Sequence, residues 1–160
     1  MKKDFAQRIA FLVLSAALAA GAQAITDQAA YPVTEPYRFP VQPGTPEWVE
    51  LDEAGLARNA CRMPAGLAEQ MTSQALLETA LEDPYVIDLL AYSDPVQGFW
   101  SNVGYNDALA ELVTRRDAAG VVEKEFEKLP PLDEITDADT VTRWYILSAF
   151  SKGMESPPEV

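Results

Sequence analysis

Proline decides where this chain can and cannot be helical. Pro32, Pro36, Pro40, Pro43 and Pro46 recur at short intervals, with Tyr31, Tyr37 and Phe39 among them. Each removes a backbone N–H and fixes φ, so residues 25–46 are expected to form an extended, partly polyproline-like arm. The arm reads as a semi-rigid spacer, or as a segment whose rings dock on the domain or on a partner. Beyond it, Pro64, Pro84, Pro95 and the pair Pro130-Pro131 divide the chain into lengths that suit short helices.

The residues beside those prolines act as helix punctuation. Thr45 before Pro46 fits an N-cap and first helical residue; one or two helices then cover Glu47 to Arg62, ended by Pro64. Thr72 opens the next helix, with Leu76, Leu77, Ala80 and Leu81 on one face. Asp83-Pro84 and Asp94-Pro95 each stop a helix and start another. The residue before proline is pushed out of helical geometry, and its carboxylate can still accept from the new helix's free N–H groups. Asn106 is expected to cap a helix from Asp107 to Arg116. Its Leu109, Leu112 and Val113 face inward, and Glu111 with Arg115 forms an outer i,i+4 pair worth roughly 0.3–0.5 kcal/mol. Asp117 is expected to cap a helix through Val121, Val122 and Phe126 to Lys128. The last helix is expected from about Asp137 to Lys152, with Thr136 and Asp139 resembling a capping box and Gly153 at the C-terminal cap. Residues 153–160, with Pro157-Pro158, read as a flexible tail. Period-2 alternation of β-branched residues is absent. The expected fold class is therefore all-α: a compact array of five to seven short helices over residues 47–152, behind the N-terminal proline-rich extended arm.

The N-terminus carries an address. Lys2, Lys3 and Arg8 precede an apolar run from Ile9 to Ala20, and Ala22-Gln23-Ala24 follows. Charge, apolar stretch and small-residue site in that order read as a signal peptide over residues 1–24. A spanning helix needs roughly 20 apolar residues, more than this run supplies. The chain is thus expected to be exported, to a bacterial periplasm or medium, and not to span the membrane after cleavage. Without residues 1–24 it would carry 24 acidic and 9 basic side chains, a net charge of −15. Such a surface repels phosphate backbones, which argues against nucleic acid as a partner, and it favours basic proteins or peptides.

Two absences limit the chemistry. There is no histidine, so Ser-His and Cys-His catalysis and histidine-ligated zinc are excluded. The single cysteine, Cys61, cannot form an internal disulfide. It reads either as a small buried apolar residue or as a thiol reserved for a partner or for reaction.

From Met63 to Phe126 a run of weak steps can be followed: Met63-Pro64, Met71-Thr72, Pro84, Gly98-Phe99, Tyr105-Asn106, and Glu111-Leu112 with Arg115-Arg116-Asp117-Ala118. This pattern resembles a family of uncharacterised exported or surface-attached bacterial proteins with no assigned activity. The resemblance implies a helical fold and export. The consecutive Arg115, Arg116 and Asp117 depart from the family's spacing and leave open which arginine corresponds. Physically, most of these steps are caps and breaks, and they specify a shape rather than a reaction.

The remaining constellations each have a bland reading. Asp107 with Glu111, and Glu78 with Glu82, place two carboxylates on one helix face. A carboxylate-based hydrolase or lyase would use such a pair, with Trp100 and Trp144 as substrate-binding rings; a solvated helix face is the commoner use. Asp133, Glu134, Asp137 and Asp139 cluster before the last helix. They suit helix capping, and a calcium-steadied structural protein is the alternative, although the EF-hand spacing is not met. Arg58 and Arg62 stand at i,i+4 beside Cys61 and could take a carboxylate or phosphate ligand, or pair with the many acids. No G-x-S-x-G elbow, S-x-x-K motif or phosphate loop is present. No catalytic, cofactor-binding or metal-binding residue is assigned. The expected role is a non-enzymatic exported module that binds a protein or peptide partner.

Overall fold

The computed structural model describes residues 32–53 and 56–156. Residues 1–24, expected to be a signal peptide, the first part of the arm and residues 157–160 lie outside the described residues. Seven α-helices follow one another among these residues: α1 Pro46–Glu53, α2 Ala57–Ala60, α3 Ser73–Glu82, α4 Pro95–Val103, α5 Asp107–Leu112, α6 Ala118–Phe126 and α7 Ala138–Glu155. Three 3-10 segments, Ala68–Gln70, Val86–Ala91 and Leu132–Glu134, join them. The fold is all-α, and α7, at 18 residues, is the long member of the set. No described helix is long and apolar enough to cross a membrane.

Most helix starts follow from a local hydrogen bond. The Thr45 hydroxyl accepts from Trp48 N at 3.2 Å, Thr72 from Ala75 N at 3.2 Å and Asp94 from Val96 N at 2.9 Å. Asn106 accepts from Leu109 N at 2.9 Å. In each case an orphan N–H of the first turn is satisfied by the cap side chain. Two expected caps are corrected. The last helix is capped by Asp137, which accepts from Thr140 N at 2.8 Å, rather than by a Thr136–Asp139 box. Asp117 stands at the N-cap of α6 without a capping bond; its carboxylate instead accepts from the Ser73 hydroxyl at 2.6 Å and ties α6 to α3. The Asn106 helix also ends early, at Leu112.

The C-terminal end differs for a packing reason. Gly153 is not a C-terminal cap, and α7 runs on to Glu155, with Gly153 buried. A Cβ on Gly153 would lie 2.1 Å from the Phe99 ring. The glycine therefore lets α7 close onto α4, where Phe99 is fully buried with its ring 5.5 Å from Phe150, edge to face. Gly98, the neighbouring residue on α4, makes a second close approach: a Cβ there would lie 2.5 Å from the Leu89 carbonyl oxygen. Around Phe99 the core gathers Leu76, Leu77, Leu89, Leu109, Leu112, Val122 and Leu147. Fully burying a side chain of this size contributes about 1.5–3 kcal/mol.

The arm from Val33 onward is a strap, not a spacer. Val33 N donates to Gln70 O at 2.8 Å, and Thr72 N to Val33 O at 2.9 Å, in an isolated parallel bridge between Val33 and Met71. Tyr37 N donates to Thr79 Oγ1 at 2.8 Å. Phe39 and Val41 are buried at 5% exposure. The apolar residues between the prolines thus supply core, while the prolines keep the backbone extended.

Two glycine substitutions separate packing from propensity. Gly153→Ala drives a methyl into the Phe99 ring and is expected to destabilise by about 1–3 kcal/mol. Gly120→Ala, inside α6 with nothing within 4 Å of the added carbon, is expected to stabilise by about 0.5–1 kcal/mol. Denaturant melts of the two variants check both signs.

Candidate functional site

A wide groove forms where three elements meet. On α1, Trp48 and Asp52 stand one helical turn apart and so share a face. Pro84 and Tyr85 lead into the 3-10 segment, which contributes Val86, Ile87 and Asp88. The first half of α7 adds Asp139, Thr140, Thr142, Arg143 and Ile146. These enclose about 770 Å³ over an apolar floor. The Trp48 and Tyr85 rings lie 5.2 Å apart and form one wall. Burial, then the nearby Asp52 carboxylate, raises the Tyr85 hydroxyl above its ordinary value.

That wall is held from behind by Arg58. Its guanidinium lies 4.1 Å from the centroids of both Tyr85 and Tyr105, a cation–π sandwich. Its Nη2 also pairs with Asp88 Oδ2 at 2.9 Å. Arg62 pairs with Asp107 at 2.6 Å. The two arginines that could have taken an anionic ligand are therefore engaged by the protein's own carboxylates. Arg143 is engaged too, with Glu125 at 2.7 Å. Burial alone would raise Glu125, but Lys128 and Arg143 together hold its carboxyl below the ordinary value.

A smaller groove of about 250 Å³ opens where Leu89, Leu90, Tyr92 and Pro95 meet α7 at Trp144, Tyr145 and Lys152. Several large apolar side chains in this region are exposed: Ile87 by 54%, Tyr145 by 48%, Leu90 by 41% and Tyr92 by 37%. The sequence pattern could not single these out. The 3-10 segment that presents Ile87 and Leu90 has no helical or strand period to mark which residues face out.

The candidate carboxylates part company. Asp107 and Glu111 do line a common groove of about 390 Å³ with Arg62 and Glu69. Asp107 is held there by Arg62 and by Met63 N at 2.9 Å, and Glu111 by Arg115 at 2.8 Å. Glu78 accepts from Gln74 at 2.9 Å on the α3 surface. Trp100 donates to Ser156 O at 2.8 Å, tying α4 to the end of α7. Asp133, Glu134, Asp137 and Asp139 do not converge: among the described residues no three acidic or thiol groups are placed to hold a metal ion.

Sequence reasoning found the capping role of Asp83 but missed its burial. Read as a helix break, it is buried at 5% exposure and accepts from Tyr85 N at 2.8 Å. Burial pushes its carboxyl up to about 6, with Asp107 and Asp88 adding to the rise and the Tyr85 N–H and Arg58 opposing it. A carboxyl shifted in this way is what acid catalysis requires. Asp83 is buried and lines none of these three grooves, so none of them brings a substrate to it. Its neighbour Cys61 is buried in the core, where burial first and the Asp83 charge second push the thiol up. This matches the reading of Cys61 as a small core residue, since the thiolate is the reactive form.

The sign of the Asp83 effect follows from linkage. Its folded value lies above the unfolded one, so stability is fully present below about pH 4 and falls as pH rises through about 6. Asp83→Asn is expected to flatten that slope and to gain on the order of 1–3 kcal/mol at pH 7. Melting curves of both proteins from pH 4 to 7 check it. Cys61 is expected to resist a thiol reagent in the folded protein and to react fully once the chain is denatured, as read by absorbance of the released chromophore.

Comparison of the chain with protein-family models, with curated proteins and with solved structures finds no match to any of them.

Proposed function

We propose that this chain is an exported, non-enzymatic helical module that docks a protein or peptide partner. The observation that carries the reading is the set of exposed large apolar side chains, Ile87, Leu90, Tyr92 and Tyr145, on the 3-10 segment, the residues after it and α7. A soluble monomer seldom leaves grouped apolar surface open, and such surface marks interaction sites. Grooves beside these side chains give a partner's residues somewhere to insert. The signal-like residues 1–24 and the excess of 25 acidic over 12 basic residues support a working place outside the cytoplasm and a basic partner. Asp107 and Glu111 are paired with arginines and Asp83 is enclosed, so these three do not offer acid catalysis a free, accessible acid.

The test compares capture by the wild-type chain and by a Leu90→Asp, Tyr145→Ser variant, each immobilised and exposed to envelope extract and culture fluid from the native organism. The wild type is expected to enrich a partner at a fixed stoichiometry, and the variant, with an unchanged melting temperature, to lose it. Equal capture by the two proteins, or none by either, overturns the reading.

A further inference from the structure

We propose that the groove between α1, the Val86–Ala91 segment and the start of α7 takes a cationic segment of a peptide. A lysine or arginine side chain sits beside Trp48 between the Asp52 and Asp139 carboxylates, and an apolar residue two positions along covers Ile87 and Ile146. This rests on the docking reading above and gives the partner its chemistry.

Charge decides the class of occupant. Four charged residues line the groove: Asp52, Asp88, Asp139 and Arg143. Asp88 is held by Arg58 at 2.9 Å and Arg143 by Glu125 at 2.7 Å. Asp52 and Asp139 make no ion pair among the described residues, so the groove keeps two uncompensated negative charges. An anionic guest would be repelled by both. A neutral apolar guest would strip water from them with nothing in return. A cation answers the carboxylates and also gains from the Trp48 ring. The chain uses the same pairing internally, where Arg58 lies between two tyrosine rings with Asp88 at its end.

Size and shape suit a peptide. A cleft of about 770 Å³ is within the range of sites that enclose a compact ligand. Between Asp139 and Ile146 the helix rises about 10 Å, the reach of about three residues of extended chain. One charged and one apolar side chain, on alternate residues, fit that length.

The experiment uses fluorescence anisotropy with a labelled heptapeptide that carries lysine, leucine and lysine two residues apart with serines between them, so that all three share one face of an extended chain, and its counterpart with glutamate in place of lysine. The lysine peptide is expected to bind and the glutamate peptide not to. Asp52→Asn with Asp139→Asn is expected to weaken binding by about tenfold or more. Asp133→Asn with Glu134→Gln removes the same charge outside the groove and is expected to change it less than about twofold. Melting temperatures confirm that both double variants fold. Equal weakening by the two double variants overturns the site and leaves only bulk attraction. Binding of the glutamate peptide, or no binding of the lysine peptide, overturns the cationic class. If the lysine peptide fails while Leu90→Asp, Tyr145→Ser still abolishes partner capture, the docking reading survives without this one; if both fail, both fall.

Discussion

The contact of α7 with α4 through Gly153 and Phe99 sets the arrangement of the rest. A methyl group at either Gly153 or Gly98 would overlap atoms already in place, one the Phe99 ring and the other the Leu89 carbonyl. Two glycines thus let α7 and the Val86–Ala91 segment approach α4 more closely than a side chain at either position would allow. Because interiors are packed to crystal-like density, there is little room for either element to withdraw without opening a void. Both grooves on this face are bounded by that segment and by α7, so their shape depends on this contact.

Buried polar side chains then tie the short helices together. Asn106 caps α5 and also donates to the Ala80 carbonyl of α3 at 3.1 Å, serving the start of one helix and the last turn of another. Thr79 donates to Ala75 O at 2.8 Å within α3 while its oxygen accepts from Tyr37 in the strap. Asn102 donates to Tyr85 O at 3.2 Å and so fixes the residue that forms the groove wall. Short helices leave many unsatisfied end groups per residue, and these side chains answer them across elements. Asp83 belongs to the same set but carries a charge cost that the others do not.

The acidic surface is uneven in consequence. Arg58, Arg62, Arg115, Lys128 and Arg143 are each taken up by a carboxylate. Exposed pairs of this kind contribute little to stability, about 0–1 kcal/mol each. Their larger effect is on what is left: with those cations neutralised, places such as the Asp52–Asp139 groove retain a negative field over an apolar floor. Aromatic walls and uncompensated carboxylates in one cleft favour a guest with a positive head and an apolar body.

Helical class and most of the element starts were written in the sequence, because capping and proline breaks act within three or four residues of one another. Thr45, Thr72, Asp94 and Asn106 are read from their neighbours alone and hold in the fold. That the sequence contains no histidine is likewise plain from composition. What only the tertiary structure decided lies at long range. Gly153 looks like a helix end until Phe99, far away in sequence, is seen to need its missing side chain. Asp83 looks like punctuation until packing buries it to 5% exposure and raises its carboxyl. Asp117 turns from its own helix to Ser73. The groove itself joins residues 43 to 146. Local hydrogen bonds and fixed dihedrals are short-range forces that a sequence shows directly; burial and charge compensation depend on which distant segments meet, and that is known only once the chain has packed.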